Sequence, residues 1–141
     1  ASTKAAVAEG IVPGGGVALL RCSAALGREL DKLEGDERTG LRILRDALEI
    51  PVRQIAINSG ADPGVVAERV RNGSGAFGFD ARTLEYVDMT EAGIIDPTQV
   101  VRVELENAAS VAGTLLLAEA TLTEIEEKIP PAAQGGMPPE F

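Results

Sequence analysis

From Val17 to about Leu33 the apolar positions recur at spacings of three and four: Val17, Leu20 and Ala24, then Leu26, Leu30 and Leu33. That is the period of an α-helix with one buried face. A second stripe, Leu41, Leu44, Leu48, Val52 and Ile55, predicts a helix capped by Asp36 and running to about Ser59. Pro51 lies inside this stripe and removes one backbone hydrogen bond, so either a kink or two helices end to end is expected there. Asp62-Pro63 is a start signal, an acceptor for free N–H groups followed by a residue that fits the first helical turn, and Gly73 ends the short helix it opens. The period then changes to two. Phe77 and Phe79 alternate with small residues, answered by Leu84, Tyr86 and Val87, which predicts a β-hairpin turning near Ala81-Arg82-Thr83. After a short turn at "TEAGII", Asp96-Pro97 repeats the cap-plus-proline signal, and a helix is expected from 97 to about 117. Its second half, "NAASVAGTLLLAEA", is apolar nearly all round, which predicts the buried centre of the domain. At the start, residues 1–9 read as an Ala-rich helix closed by Gly10, and 10–16 as a glycine loop; residues 120–125 read as a strand or a frayed helix end. The expected fold is mainly α and multi-helical, with one small β-hairpin.

Composition narrows this picture. The 141 residues suit one ordinary domain, and with 45% apolar but only 3% aromatic residues the core must be built from Ala, Val, Leu and Ile. A net charge of −9 argues against nucleic acid and against an anionic membrane surface as partners. Histidine is absent, which removes Ser/His/Asp and Cys/His triads and the commonest zinc ligand. Cys22 is alone, so there is no internal disulfide; a reducing compartment and a buried, inert thiol are expected. The chain lacks Met at its start and ends in a Pro/Gly tail, "IPPAAQGGMPPEF", a pattern that reads as part of a longer protein.

The candidate chemistry is sparse. Gly14-Gly15-Gly16 opens a helix but lacks both the third glycine of a dinucleotide fingerprint and the Gly-Lys-Ser/Thr of a phosphate loop. What remains is backbone N–H groups without Cβ atoms in their way and the positive end of a helix, which favour an anion; a plain tight connection explains the triplet more simply. Asp80 at the hairpin and Asp96 before Pro97 are each explained locally, as a turn residue and as a helix cap. Glu124, Glu126 and Glu127 read as a solvated face. At this level the residues give a mostly helical domain with one hairpin and one weak anion-binding candidate; a self-standing helical interaction module and a small-ligand enzyme with Asp80 and Asp96 as acid and base are readings it leaves open.

The stretches "AAVAEGIVPGGGVALL", "PVRQIAINSG", "EYVDMTEAGIIDPTQVVR" and "ENAASVAGTLLLAEA" together resemble, in order and spacing, the C-terminal part of a group I chaperonin of the GroEL family. The resemblance covers the chain to about residue 125. It implies the end of an intermediate-domain helix at 1–9, the C-terminal portion of the equatorial ATP-binding domain at 10–125, and a flexible tail at 126–141 in which Gly135-Gly136-Met137 is similar to the family's tail repeats. It implies an ATP-dependent machine that encapsulates non-native proteins in a double ring of identical subunits, with a co-chaperonin lid, in the cytoplasm of a bacterium or in an organelle matrix. Magnesium and potassium accompany the nucleotide in that family. Carried over by motif, Gly14 and Gly15 lie against the nucleotide, Asp80, Ala81 and Arg82 line the base pocket, Ile94 packs beside the adenine and Asp96 binds the ribose. The family usually has Asn-Ala-Ala where this chain has Asp80-Ala81-Arg82. A pairing of Glu9 with Arg102 is also implied, as is a place for Arg53 and Asp62 near the ring–ring interface. The family's Gly-Asp-Gly-Thr-Thr phosphate loop does not occur here, its catalytic Asp falls three positions before Ala1, and its apical domain, which binds substrate protein and lid, has no counterpart. The resemblance therefore implies no ATP hydrolysis by this chain alone, a pocket with one wall, and an apolar face left exposed.

Overall fold

The computed structural model describes Ala6 and residues 9–118. The expectations for the remaining residues, namely most of the first helix, the 120–125 segment, the glutamates at 124–127 and the tail, lie outside them. Where the chain enters the described part, the Gly10 N–H donates to the Ala6 carbonyl at 2.9 Å, so helical bonding does run up to Gly10.

The helices follow from the apolar stripes. α1 (Val17–Leu30) buries Val17, Leu20 and Leu30. α2 (Gly35–Ala47) and α3 (Ile50–Asn58) stand end to end, which resolves the alternatives left by Pro51: the proline occupies the first turn of α3, where a missing N–H costs nothing. Asp36 is not the cap of α2. Glu34 holds the capping position without a side-chain bond, and Asp36 falls in the first turn, where a negative charge meets the positive helix end. α4 (Pro63–Asn72) starts as expected, with Asp62 Oδ1 accepting from the Val65 N–H at 2.9 Å, and closes at Gly73.

The hairpin also forms: β2 (Phe77–Asp80) pairs antiparallel with β3 (Glu85–Asp88), Phe79 opposite Tyr86. Tyr86 stacks on Phe77 with centroids 5.9 Å apart, and the Arg69 guanidinium stands 4.0 Å from its ring centroid. Val17 and Leu20 of α1, Val52 and Ala56 of α3, Val66, Ala67 and Val70 of α4, Phe79 and Met89 make one core. Each Val or Leu buried there contributes about 1.5–3 kcal/mol. The core lies between the helices and the inner face of the hairpin, so it fixes the hairpin against α1.

Three expectations change. The 10–16 loop contains a strand, β1 (Ile11–Pro13), which pairs antiparallel with β4 (Ile95–Pro97), with Val12 opposite Asp96. The molecule therefore has a second two-stranded sheet besides the hairpin. α5 (Thr98–Leu117) has the expected length but buries no residue, and Leu116 and Leu117 are almost fully exposed. The physical reason is geometric. α5 faces α1, α2 and α3 on one side only, and its Ala108, Ala109 and Ala112 are too short to close the gap, leaving an apolar cavity of about 380 Å³ between them. An all-round apolar helix needs neighbours on every side, and the described residues supply one. Among the described residues the exposed apolar face implied by the resemblance is present, and the full coverage required of a self-standing module is not. Finally, Cys22 is exposed rather than buried, because it falls on the solvent side of α1 between Leu20 and Ser23. No helix among the described residues is long and apolar enough to cross a membrane.

Candidate functional site

The glycine triplet is a turn between β1 and α1. The Gly14 N–H donates to the Ile94 carbonyl at 2.9 Å and extends the β1–β4 ladder by one step. Each glycine has a reason to lack a side chain. A Cβ on Gly14 would sit 3.1 Å from the Ile94 oxygen, and one on Gly16 would sit 2.8 Å from the Val52 nitrogen. Gly16, with φ +78°, also adopts a left-handed conformation that costs other residues energy. Gly15, with φ +66°, differs: a Cβ there would collide with the end of the buried Met89 side chain, 2.6 Å away, rather than with backbone.

Gly15 also borders a cavity of about 500 Å³ against the hairpin tip. Gly15, Asp80, Ala81, Arg82 and Ile94 line it, together with Ile55 and Met89. A second cavity of about 340 Å³ shares Gly15 and Ile55 with the first and is lined by Asp96, Gly16 and Ala18 at the head of α1. The structure thus brings together, around Gly15, residues taken from three separate parts of the sequence. Gly14 stands behind this wall, buried, and acts through its bond to Ile94.

The two aspartates are in different states of use. Asp80 Oδ1 accepts from the Arg82 N–H at 2.8 Å, and this bond, helped by Thr83, holds its carboxyl below the ordinary aspartate range. It is ionised at neutral pH and presents acceptors only. Asp96 does not cap α5. Pro97 takes the capping position, no side chain caps the helix, and Asp96 is held extended in β4 opposite Val12. The local explanation for Asp96 is removed, and Asp96 lines the second cavity. The two aspartates do not share one cavity, which tells against the acid–base pair.

Ile55 and Met89 were not singled out as site residues. Ile55 was legible only as part of a helical stripe, and Met89 carried no signal at all. The Glu9–Arg102 pair forms: Arg102 Nη2 and Nε donate to the two Glu9 carboxylate oxygens at 2.6 and 3.2 Å, and Nη1 donates to Glu106 at 2.9 Å. The arginine's hydrogen bonds and charge lower the Glu9 pKa, and the two glutamates raise that of Arg102. Arg53 pairs with Glu49 at 3.1 Å, and Glu49 also accepts from Arg71, tying α3 to α4.

The cavity set has apolar walls at Ile55 and Ile94, bare main chain at Gly15, and carboxylate acceptors at Asp80 and Asp96. This suits a flat heteroaromatic ring carrying an amino group, joined to a polyhydroxyl group. Among the described residues no group of three or more His, Cys, Asp or Glu gathers to hold an ion.

Residues 1–126 match the model of the TCP-1/cpn60 chaperonin family. The chain is 65% identical over 126 residues to a protein named Chaperonin GroEL 5 from Bradyrhizobium diazoefficiens, covering 89% of this chain and 23% of that protein. Its fold is similar to the crystal structure of a group III chaperonin in the open state, with a TM-score of 0.77 and 31% identity over 84% of this chain and 25% of the other. The chain spans about a quarter of the length of these relatives.

Proposed function

The chain belongs to the TCP-1/cpn60 chaperonin family, and from that membership we propose that it supplies one wall of an adenine-nucleotide pocket, and ring contacts, to an ATP-dependent chaperonin that encapsulates and helps to fold non-native proteins. The observation that carries this reading is the convergence of Gly15, Asp80, Ala81, Arg82 and Ile94 on one cavity, with Asp96 beside it in a cavity sharing Gly15. In this reading the base lies between Ile94 and the hairpin tip, its exocyclic amine donating to Asp80. The ribose hydroxyls donate to Asp96. When bound, the nucleotide's phosphates and their magnesium supply the hydrolytic chemistry; the residues of this chain hold and orient the adenosine part only. The 141 residues contain no Gly-Asp-Gly-Thr-Thr loop, so hydrolysis by the chain alone is not expected. Identical subunits, a co-chaperonin and unfolded proteins are partners of the assembled machine in this reading. The uncovered apolar face of α5 favours it over a self-standing interaction module.

The test is a titration of the isotope-labelled chain with adenosine and with ADP, followed by amide chemical shifts. Shifts concentrated at Gly15, Ala81, Arg82, Ile94 and Asp96 are expected, at millimolar ligand. Shifts spread elsewhere, or none at saturating adenosine, would overturn the assignment.

A further inference from the structure

Arg21 lies in the second turn of α1, yet its guanidinium makes all of its hydrogen bonds elsewhere. Nη1 donates to the Val70 carbonyl at 2.8 Å and the Arg71 carbonyl at 3.3 Å. Nε donates to Gly75 at 3.2 Å and Nη2 to Phe77 at 3.1 Å. The four acceptors are main-chain oxygens from the last turn of α4, the following loop and the first residue of β2. No carboxylate is among its salt-bridge partners in the described residues. Partial burial lowers its pKa, as expected of a cation set among carbonyl groups away from water. The planar fork of arginine donates in several fixed directions at once, which the compact ammonium of lysine does not.

The position of this staple matters for the cavity. α1 starts directly after Gly14-Gly15-Gly16, one wall, and β2 ends at Asp80 in the other. Arg21 joins the first turns of α1 to the base of β2. We propose that Arg21 is a positioning residue that sets the spacing between the glycine turn and the hairpin tip, and with it the width of the cavity that receives the base. The second half of this statement rests on the adenosine reading above.

The experiment compares Arg21→Lys and Arg21→Met with Asp62→Ala, which loosens α4 from its other end without touching the hairpin. Amide hydrogen exchange is read without ligand at Leu84, whose N–H donates to the Asp80 carbonyl, and at Met89, whose N–H donates to Ala76. Adenosine affinity is read from the shifts at Gly15 and Ala81. At matched global stability, both Arg21 variants are expected to exchange about tenfold faster than D62A at the hairpin amides, and to bind adenosine about three- to tenfold more weakly. A uniform rise across the core amides of α1, α3 and α4, or wild-type hairpin exchange in R21K, would overturn the proposal. If the unaltered chain gives no adenosine shifts, the adenosine reading falls, and hairpin exchange still decides whether Arg21 holds the two walls together.

Discussion

Gly14 and Ile94 meet backbone to backbone: the Gly14 N–H donates to the Ile94 carbonyl at 2.9 Å, and the same oxygen stands 3.1 Å from where a Gly14 side chain would begin. This contact sets the glycine turn against the segment that leads into Asp96, so both cavities open on the same small stretch of bare main chain.

Gly15 and Gly16 should therefore fail differently. In Gly16→Ala a Cβ is forced against the backbone of Val52 in a left-handed conformation, and a loss of roughly 2–4 kcal/mol is expected in urea unfolding. Gly15→Ala carries the left-handed cost, about 1–2 kcal/mol, but meets the end of the Met89 side chain rather than backbone. It should remain folded and lose adenosine shifts. Equal destabilisation by the two variants would contradict the separate roles assigned to these neighbours.

Leu84 is the one non-glycine residue with positive φ among the described residues, at 61°, and its side chain is largely exposed. Its strain offsets little burial. Leu84→Asn should stabilise the chain by about 0.5–1 kcal/mol, since asparagine tolerates this conformation better. A fall in the thermal midpoint would mean that Leu84 is held by contacts the structure does not contain.

The Glu9–Arg102 pair gives a pH signature with a definite sign. The folded-state pKa of Glu9 lies below its unfolded value. Whatever stability the pair adds is therefore present above the ordinary glutamate range and lost as pH falls through the lowered pKa. The carboxyl carbon shift of Glu9 should titrate below that of an unpaired glutamate, and Arg102→Ala should return it to the usual range. An unchanged midpoint in the variant would assign the shift to some other group.

α5 offers a test of exposure. Leu116 is 87% exposed, so Leu116→Glu should change stability by no more than about 0.5 kcal/mol. It should also reduce binding of a hydrophobic dye and any self-association seen by sedimentation. A loss of several kcal/mol would show that the helix is covered after all.

What the sequence determined by itself is everything that local physics governs. The three-and-four spacing made α1, Asp62 and Gly73 bounded α4 with a cap and a stop, Pro51 divided one stripe into two helices, and the change to period two produced the hairpin. Each of these depends on residues within a few positions of one another. Only the tertiary structure decided the rest. Asp96-Pro97 carries the same signature as Asp62-Pro63, yet Asp62 caps a helix and Asp96 does not, because Val12 from the far end of the chain pairs with Asp96 and holds it extended. Nothing in the sequence marks Arg21, whose guanidinium four distant carbonyl oxygens surround. The apolar run of α5 was legible as apolar but not as exposed, since hydrophobicity records a demand for neighbours and says nothing of whether they are there. The resemblance pointed to the residues around Gly15, but long-range pairing brings them together, and pairing between distant strands leaves no periodic mark on either partner.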